Sequence, residues 1–211
     1  MTQNTDTLLP ILTGQPVIPV IVIEDAEKAV PLARALAAGG LPAVEITLRS
    51  EAAVDAIGRI AAKVPQAIVG AGTVLNTEHY EQVVAAGARF AVSPGFTPEL
   101  ADSARGSAVP LLPGASTPSE IMAALEEGYW LLKFFPAEQS GGVGYLKSLA
   151  SPFAGVRFCP TGGVSATNAA DYLGLSNVIC VGGSWVAPGD AVQGGDWDRI
   201  TALAKEAAGL A

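Results

Sequence analysis

The stretch from residue 17 to residue 47, VIPVIVIEDAEKAVPLARALAAGGLPAVEIT, decides the fold. It opens on a β-branched run, Val17–Ile23, that reads as a buried strand. The alanine-rich amphipathic stretch Asp25–Ala38 follows and reads as a helix. Asp25 stands where an N-cap is needed, and Gly39 stands where the helix must stop. A second strand, Ala43–Thr47, completes a strand–helix–strand unit. Between the first strand and the helix lie only Glu24 and Asp25, with no glycine. An open doubly wound sheet would carry a glycine-rich fingerprint at that turn, so that architecture ranks second.

The same alternation continues along the chain. Further strands are expected at Ala67–Val69, Phe90–Ser93, Val109–Leu112, Trp130–Phe134, Val156–Thr161 and Val178–Val181. Helical patterns are expected at Glu51–Lys63, Thr77–Ala86, Pro98–Ala104, Pro118–Glu127, Tyr145–Leu149, Thr167–Leu173 and Trp197–Ala208. Thr77, Thr97, Thr117 and Thr167 read as helix starters, and Gly87 and Gly128 as stops. Eight strands at the spacing of βα units predict an α/β chain of the (β/α)8 TIM-barrel type, in a single domain 1–211. Asn4–Leu12 is expected to form a short helix that caps the N-terminal end of the barrel.

Composition narrows the function. Half of the 211 residues are hydrophobic, which suits a large core and excludes a disordered chain. Twenty acidic residues against 12 basic ones give a net charge of −8, so no nucleic-acid partner is expected. A single histidine, His79, excludes a metal site built on several histidines. His79 follows Glu78 at a helix start and reads as a surface residue. Cys159 and Cys180 lie in apolar runs and read as reduced, buried thiols. The N-terminal segment lacks the pattern of a signal peptide, and no apolar run approaches the ~20 residues of a membrane span. A cytoplasmic location with no membrane partner is expected.

In a barrel of this kind the active site forms at the C-terminal ends of the strands. Lys133 lies in Tyr129-Trp130-Leu131-Leu132-Lys133-Phe134-Phe135-Pro136, the most hydrophobic stretch of the chain. Desolvation there would favour the neutral, nucleophilic amine. The plain alternative is a lysine that reaches along its strand end to solvent. Glu45, Thr47 and Arg49 share one face of an alternating strand, with Val44, Ile46 and Leu48 on the other. They read either as a Glu45–Arg49 ion pair or as a general base beside a carboxylate clamp. Gly70-Ala71-Gly72-Thr73 reads as a turn or as a close backbone approach to a ligand. Gly162-Gly163 and Gly182-Gly183-Ser184 follow strands seven and eight. There they are two glycine turns, or a phosphate site made of backbone N–H groups and a helix N-terminus.

Taken together these motifs resemble one family. Val44-Glu45-Ile46-Thr47-Leu48-Arg49-Ser50, Val69-Gly70-Ala71-Gly72-Thr73, Ser93-Pro94-Gly95, Lys133-Phe134-Phe135-Pro136-Ala137-Glu138, Cys159-Pro160-Thr161-Gly162-Gly163 and Val181-Gly182-Gly183-Ser184 are similar to the bacterial 2-keto-3-deoxy-6-phosphogluconate (KDPG) aldolases. Members of the family also cleave 4-hydroxy-2-oxoglutarate (KHG). The resemblance implies a cofactor-free, metal-independent Schiff-base aldolase of the Entner–Doudoroff pathway, assembled as a homotrimer. Its substrates would be a 2-keto-3-deoxy sugar acid phosphate and pyruvate. Lys133 matches the Schiff-base lysine and Glu45 the general acid/base. Arg49 and Thr73 match the groups that hold the pyruvate carboxylate, and Pro94, Phe135 and Thr161 match pocket walls. Gly162, Gly163, Gly182, Gly183 and Ser184 match the phosphate-binding region. Two alternatives stay open: a 6-phosphogalactonate-type aldolase and a catalytically idle sugar-phosphate-binding barrel. The phosphogalactonate branch typically carries asparagine where Arg49 stands and serine where Ala137 stands, so Arg49 and Ala137 favour the gluconate branch.

Overall fold

The computed structural model describes residues 3–210, so Met1, Thr2 and Ala211 of the expected domain lie outside the described residues. Strands and helices alternate along the chain. The strands are β1 (Val17–Ile21), β2 (Ala43–Thr47), β3 (Ile68–Gly72), β4 (Ala91–Val92), β5 (Leu111–Leu112), β6 (Leu131–Phe134), β7 (Arg157–Pro160) and β8 (Val181–Gly183). All ladders are parallel. Six strands form a curled sheet in the order β5-β4-β3-β2-β1-β8, and β6 pairs with β7. Isolated parallel bridges link the two pieces on both flanks. Gly114, just after β5, meets Lys133 of β6, and Thr161, just after β7, meets Gly182 of β8.

The period-two alternation of the strands sorts the core into two clusters. The larger lies between strands and helices and takes Val44 and Ile46 from β2, Val69 and Ala71 from β3, and Leu132 and Phe134 from β6. The smaller takes the opposite strand faces: Ile18, Ala43, Val92, Leu112, Leu131 and Cys159, together with Phe90 and Cys180. The helix α1 (Thr5–Thr13) sends Leu8 and Leu12 into this inner cluster, where both are fully buried.

The remaining helices are α2 (Ala29–Ala38), α3 (Ala53–Lys63), α4 (Thr77–Ala85), α5 (Pro98–Ala104), α6 (Pro118–Glu126), α7 (Gly142–Leu149), α8 (Ala169–Leu173), α9 (Gly189–Gly194) and α10 (Trp197–Ala208). Thr97 caps α5 through the Leu100 N–H, and Thr117 and Glu120 form a reciprocal capping box on α6.

The structure corrects several boundaries. The expected helix from Asp25 begins as a 3-10 turn, Ala26–Lys28, which Asp25 caps; α2 starts only at Ala29. Pro31 then falls in the first helical turn, where no N–H is required. Asn76, not Thr77, caps α4, and Asn168, not Thr167, precedes α8. Asn76 accepts from the His79 N–H, as a good N-cap does, whereas Asn168 makes no cap bond and its Oδ1 accepts from the Ser165 N–H (2.8 Å). The left-handed residue after α2 is Gly40 (φ 92°) rather than Gly39, whereas Gly87 and Gly128 both have φ 90° as helix stops. The short helix α9 was not expected.

Two strands are displaced for a common reason. β3 runs on through Gly70-Ala71-Gly72, and β8 occupies Val181–Gly183 rather than Val178–Val181. Glycine has low strand propensity, so both glycine runs read as loops. Neighbouring strands override that propensity: Gly70 and Gly72 pair with Glu45 and Thr47, and Gly182 and Gly183 pair with Ile18 and Pro19. At Gly70 a side chain has no room, because a Cβ would lie 2.3 Å from the Phe90 ring.

Leu8→Ala empties a fully buried position of the inner cluster. It is expected to cost about 2–5 kcal/mol of unfolding free energy, read as a lower denaturation midpoint in urea. A change below ~0.5 kcal/mol, the range of ordinary surface substitutions, would mean that α1 is not part of the core.

Candidate active site

Lys133 is held from its backbone outward. In the middle of β6, its N–H donates to the Pro113 carbonyl (2.9 Å) and its carbonyl accepts from the Ala115 N–H (2.9 Å). With the flanks clamped, alternation turns Leu132 and Phe134 to the helices and Lys133 inward. The side chain does not reach out to solvent, since the residue is only 5% exposed. Nζ lies 5.3 Å from the centroid of the Phe135 ring, in cation–π range.

Glu45 meets Lys133 across the interior. The Lys133 Nζ donates to Glu45 Oε1 at 3.2 Å, and both side chains are almost fully buried. The carboxylate on β2 is therefore paired with the lysine and not with Arg49. Arg49 lies just beyond β2 and is exposed; its Nε donates to Thr47 Oγ1 (3.3 Å), and the Thr47 hydroxyl donates to the Ile21 carbonyl (2.8 Å). Thr47 thus steers the guanidinium from a fixed point on β1.

All of the proposed site residues face one cavity of about 370 Å³. It is lined by Glu45, Arg49, Thr73, Pro94, Lys133, Phe135, Thr161, Gly162, Gly163, Gly182, Gly183 and Ser184. Val20, Thr47 and Val164 complete the wall, and sequence reasoning missed them as site residues. Thr47 was signalled by sharing a face with Glu45 and Arg49. Val20 and Val164 gave no signal, because an apolar side chain on a cavity wall reads like any core residue. A larger cavity of about 600 Å³ lies at the opposite end of the strands, around Gly14, Gln15 and Ile179. It is lined by no titratable side chain, so it offers neither acid–base nor imine chemistry.

The backbone around the small cavity is specialised. Thr73 has φ 59°, a left-handed conformation that is costly for a β-branched residue and tends to concentrate at functional sites. Gly162 (φ 97°) and Gly163 (φ 79°) are also left-handed. Gly182 and Gly183 are glycines for space: a Cβ would lie 2.2 Å from Thr161 Oγ1 at the first and 1.7 Å from the Trp185 ring at the second. Among the described residues, the amides of Gly162, Gly163, Val164 and Ser184 donate to no protein acceptor. They form a set of free donors on one side of the cavity. The helices that follow the glycine pairs are short and start only at Ala169 and Gly189. The expected contribution of a helix N-terminus is therefore corrected: the donors belong to the loops themselves.

Behind Gly163 stands Glu138. Its amide donates to the Gly162 carbonyl (3.1 Å), and Oε1 accepts from the hydroxyl of buried Tyr172. Burial, and then the Glu138 carboxylate, push the Tyr172 phenol up, so it remains a donor. The two cysteines are free and buried. The neighbouring Cys159 side chain and complete burial push the Cys180 thiol well above the ordinary thiol range, which leaves it unreactive. His79 lies at the start of α4, where its Nδ1 is 3.5 Å from the Leu75 N–H. Among the described residues no three His, Cys, Asp or Glu side chains are grouped to hold a metal ion, and no helix is long and apolar enough to cross a membrane.

A family model described as KDPG and KHG aldolase matches residues 9–203. The chain is 56% identical over 197 residues to the KHG/KDPG aldolase of Escherichia coli, covering 93% of this chain and 92% of that protein. Among solved structures it resembles the KDPG aldolase of Legionella pneumophila, with pyruvate captured as a covalent carbinolamine. The TM-score is 0.92 at 46% identity, over 94% of this chain and 96% of that one. It also resembles the aldolase of Zymomonas mobilis with 3-phosphoglycerate, with a TM-score of 0.91 at 48% identity over 95% and 94% of the two chains.

Proposed function

The chain belongs to the KDPG and KHG aldolase family, and on that premise we propose how its cavity cleaves a carbon–carbon bond. The protein is a Schiff-base aldolase. It splits 2-dehydro-3-deoxy-6-phosphogluconate into pyruvate and glyceraldehyde 3-phosphate, and 4-hydroxy-2-oxoglutarate into pyruvate and glyoxylate. The observation that carries the residue assignment is the buried Lys133 Nζ, 3.2 Å from a buried carboxylate in a cavity of substrate size.

Glu45 first takes a proton from the Lys133 ammonium, which frees the amine. The amine adds to the C2 ketone to give a carbinolamine. Glu45 returns the proton to the departing hydroxyl, water leaves, and a protonated imine remains. Now a carboxylate again, Glu45 takes the proton of the C4 hydroxyl. The C3–C4 electron pair moves into the imine, the aldehyde leaves, and an enamine of pyruvate stays on Lys133. Glu45 then protonates C3, and hydrolysis releases pyruvate. The imine is the electron sink in this cycle, so no metal or cofactor is assigned a step. Arg49, steered by Thr47, and Thr73 hold the substrate carboxylate; Pro94, Phe135 and Thr161 wall the carbon chain. Gly162, Gly163, Gly182, Gly183 and Ser184 hold the phosphate, chiefly through backbone N–H groups.

The scaffold is read as one domain, a closed (β/α)8 barrel whose lower end is covered by α1. Supporting this are the bridges at both flanks of the β6–β7 pair and the burial of Leu8 and Leu12. The enzyme is read as a cytoplasmic homotrimer. Met122 and Leu125 stand exposed on α6, and closed cyclic assembly covers apolar surface of this kind. Light scattering should give three times the chain mass, and a stable monomer at micromolar concentration would refute the trimer.

Borohydride added with pyruvate should inactivate the enzyme and leave one reduced adduct, at Lys133, by peptide mass mapping. Labelling at Lys63 or Lys147 instead would overturn the assignment. Glu45→Gln should lower kcat by about 10²–10⁴-fold while prolonged trapping still modifies Lys133. Near wild-type turnover in that variant would make Glu45 merely structural.

The phosphate assignment is best tested at Ser184. Gly163→Val would be ambiguous, because φ is 79° there and a Cβ would lie 2.5 Å from Glu138 Cγ. Ser184→Ala removes one hydroxyl, worth about 1–3 kcal/mol when the partner is charged. It should lower kcat/KM on the phosphorylated substrate and spare 4-hydroxy-2-oxoglutarate. Equal losses on both substrates would remove Ser184 from the phosphate site.

A further inference from the structure

β3 contributes empty space to the interior. Its outward residues, Val69 and Ala71, pack in the helix-side core, while its inward residues are Gly70 and Gly72. The space at Gly70 is filled by the Phe90 ring. The space at Gly72 is filled by the Glu45 side chain. A Cβ built on Gly72 would lie 2.0 Å from Glu45 Oε1, 2.6 Å from its Cγ and 2.7 Å from its Cδ, and these are the three nearest atoms.

Conformation does not require glycine at this position. Gly72 is an ordinary strand residue paired with Thr47, its carbonyl accepts from the Leu48 N–H (2.8 Å), and its φ lies outside the left-handed region. The glycine is there for room, and the room is occupied by the carboxylate paired with Lys133.

We propose that Gly72 is a positioning residue for the acid–base step: its missing side chain is the berth that seats the Glu45 carboxylate against β3 and beside Lys133 Nζ. This rests on the reading of Glu45 as the general acid/base. A methyl group at residue 72 drives the carboxylate out of the berth towards the cavity. The lysine is left where it is, because its backbone is clamped by Pro113 and Ala115 rather than by β3. The proton transfers that need Glu45 at a fixed distance then slow. Attachment of pyruvate to Lys133, given time, still goes to completion.

The test is Gly72→Ala alone and combined with Glu45→Gln. Gly72→Ala is expected to lower kcat at least tenfold, since a displacement of about 1 Å in a catalytic group can cost 10²-fold. Exchange of the pyruvate methyl protons with deuterated solvent, followed by NMR, should slow in parallel. Prolonged borohydride trapping at Lys133 should stay complete. In the Glu45→Gln background the same substitution should cost less than threefold, because the group it displaces no longer transfers protons. Equal losses in both backgrounds, or wild-type kcat in Gly72→Ala, would overturn the berth. Should Gly72→Ala fail to fold, Gly72→Ala with Glu45→Ala removes the collision. Recovery of folding would support the berth, and failure of both variants would refute it. Failure of the underlying reading shows separately, as undiminished turnover in Glu45→Gln.

Discussion

The buried ion pair between Lys133 and Glu45 is the constraint around which the rest of the interior is arranged. Taking two charges out of water costs several kcal/mol each, and good geometry returns only part of that cost. Two apolar side chains would fill the same volume without it. The pair joins β6 to β2, strands that are not neighbours in either ladder, so it spans the interior and needs a dry floor. The inner cluster supplies one: Ile18, Phe90, Leu112, Leu131 and the two cysteines pack together, with Leu8 and Leu12 entering from α1. The floor also needs flat walls. Gly70 makes way for Phe90 in one layer, and Gly72 makes way for Glu45 in the layer above.

The parts of this arrangement that follow from side-chain periodicity were legible in the sequence. Glu45, Thr47 and Arg49 on one face, and Val44 and Ile46 on the other, come straight from a pleat of period two. Lys133 was legible because an ammonium among Leu131, Leu132, Phe134 and Phe135 violates the local pattern. What the sequence hid was structure made by absence. The glycines of β3 and β8 look like loops because glycine disfavours strands, yet it is their lack of side chains that shapes the cavity. The Lys133–Glu45 contact itself was also hidden, since local pattern carries no information on which inward residues meet across 88 positions. The left-handed Thr73 was invisible for the opposite reason: nothing in a threonine announces positive φ.

Charge separates the chain from its site. The molecule carries a net charge of −8, which by itself would repel an anionic sugar acid. The titratable residues lining the small cavity are Lys133, Arg49 and Glu45, two cations against one anion. At the end of the cavity proposed to take the substrate carboxylate, the local field is therefore opposite in sign to the global one, and the local charges dominate because the dispersed surface charges beyond a screening length contribute little.

The far end of the cavity has a different character, and under the phosphate assignment proposed above this accounts for one site taking two substrates. No cationic side chain lines the loops that carry Gly162, Gly163, Gly183 and Ser184. In that assignment a phosphate meets neutral donors there: backbone N–H groups and one hydroxyl. The nearby carboxylate of Glu138 is occupied by the Tyr172 hydroxyl. Had the phosphate been matched by a buried arginine, a substrate without phosphate would strand that charge, and discrimination would be severe. Loop amides at a cavity wall and the exposed Ser184 would lose far less when the phosphate is missing, because water can take its place. Recognition by dipoles rather than by charge, as proposed here, would thus lower the penalty for the unphosphorylated substrate. The chemistry proposed at Lys133 and Glu45, set by contacts at the other end, would be common to both.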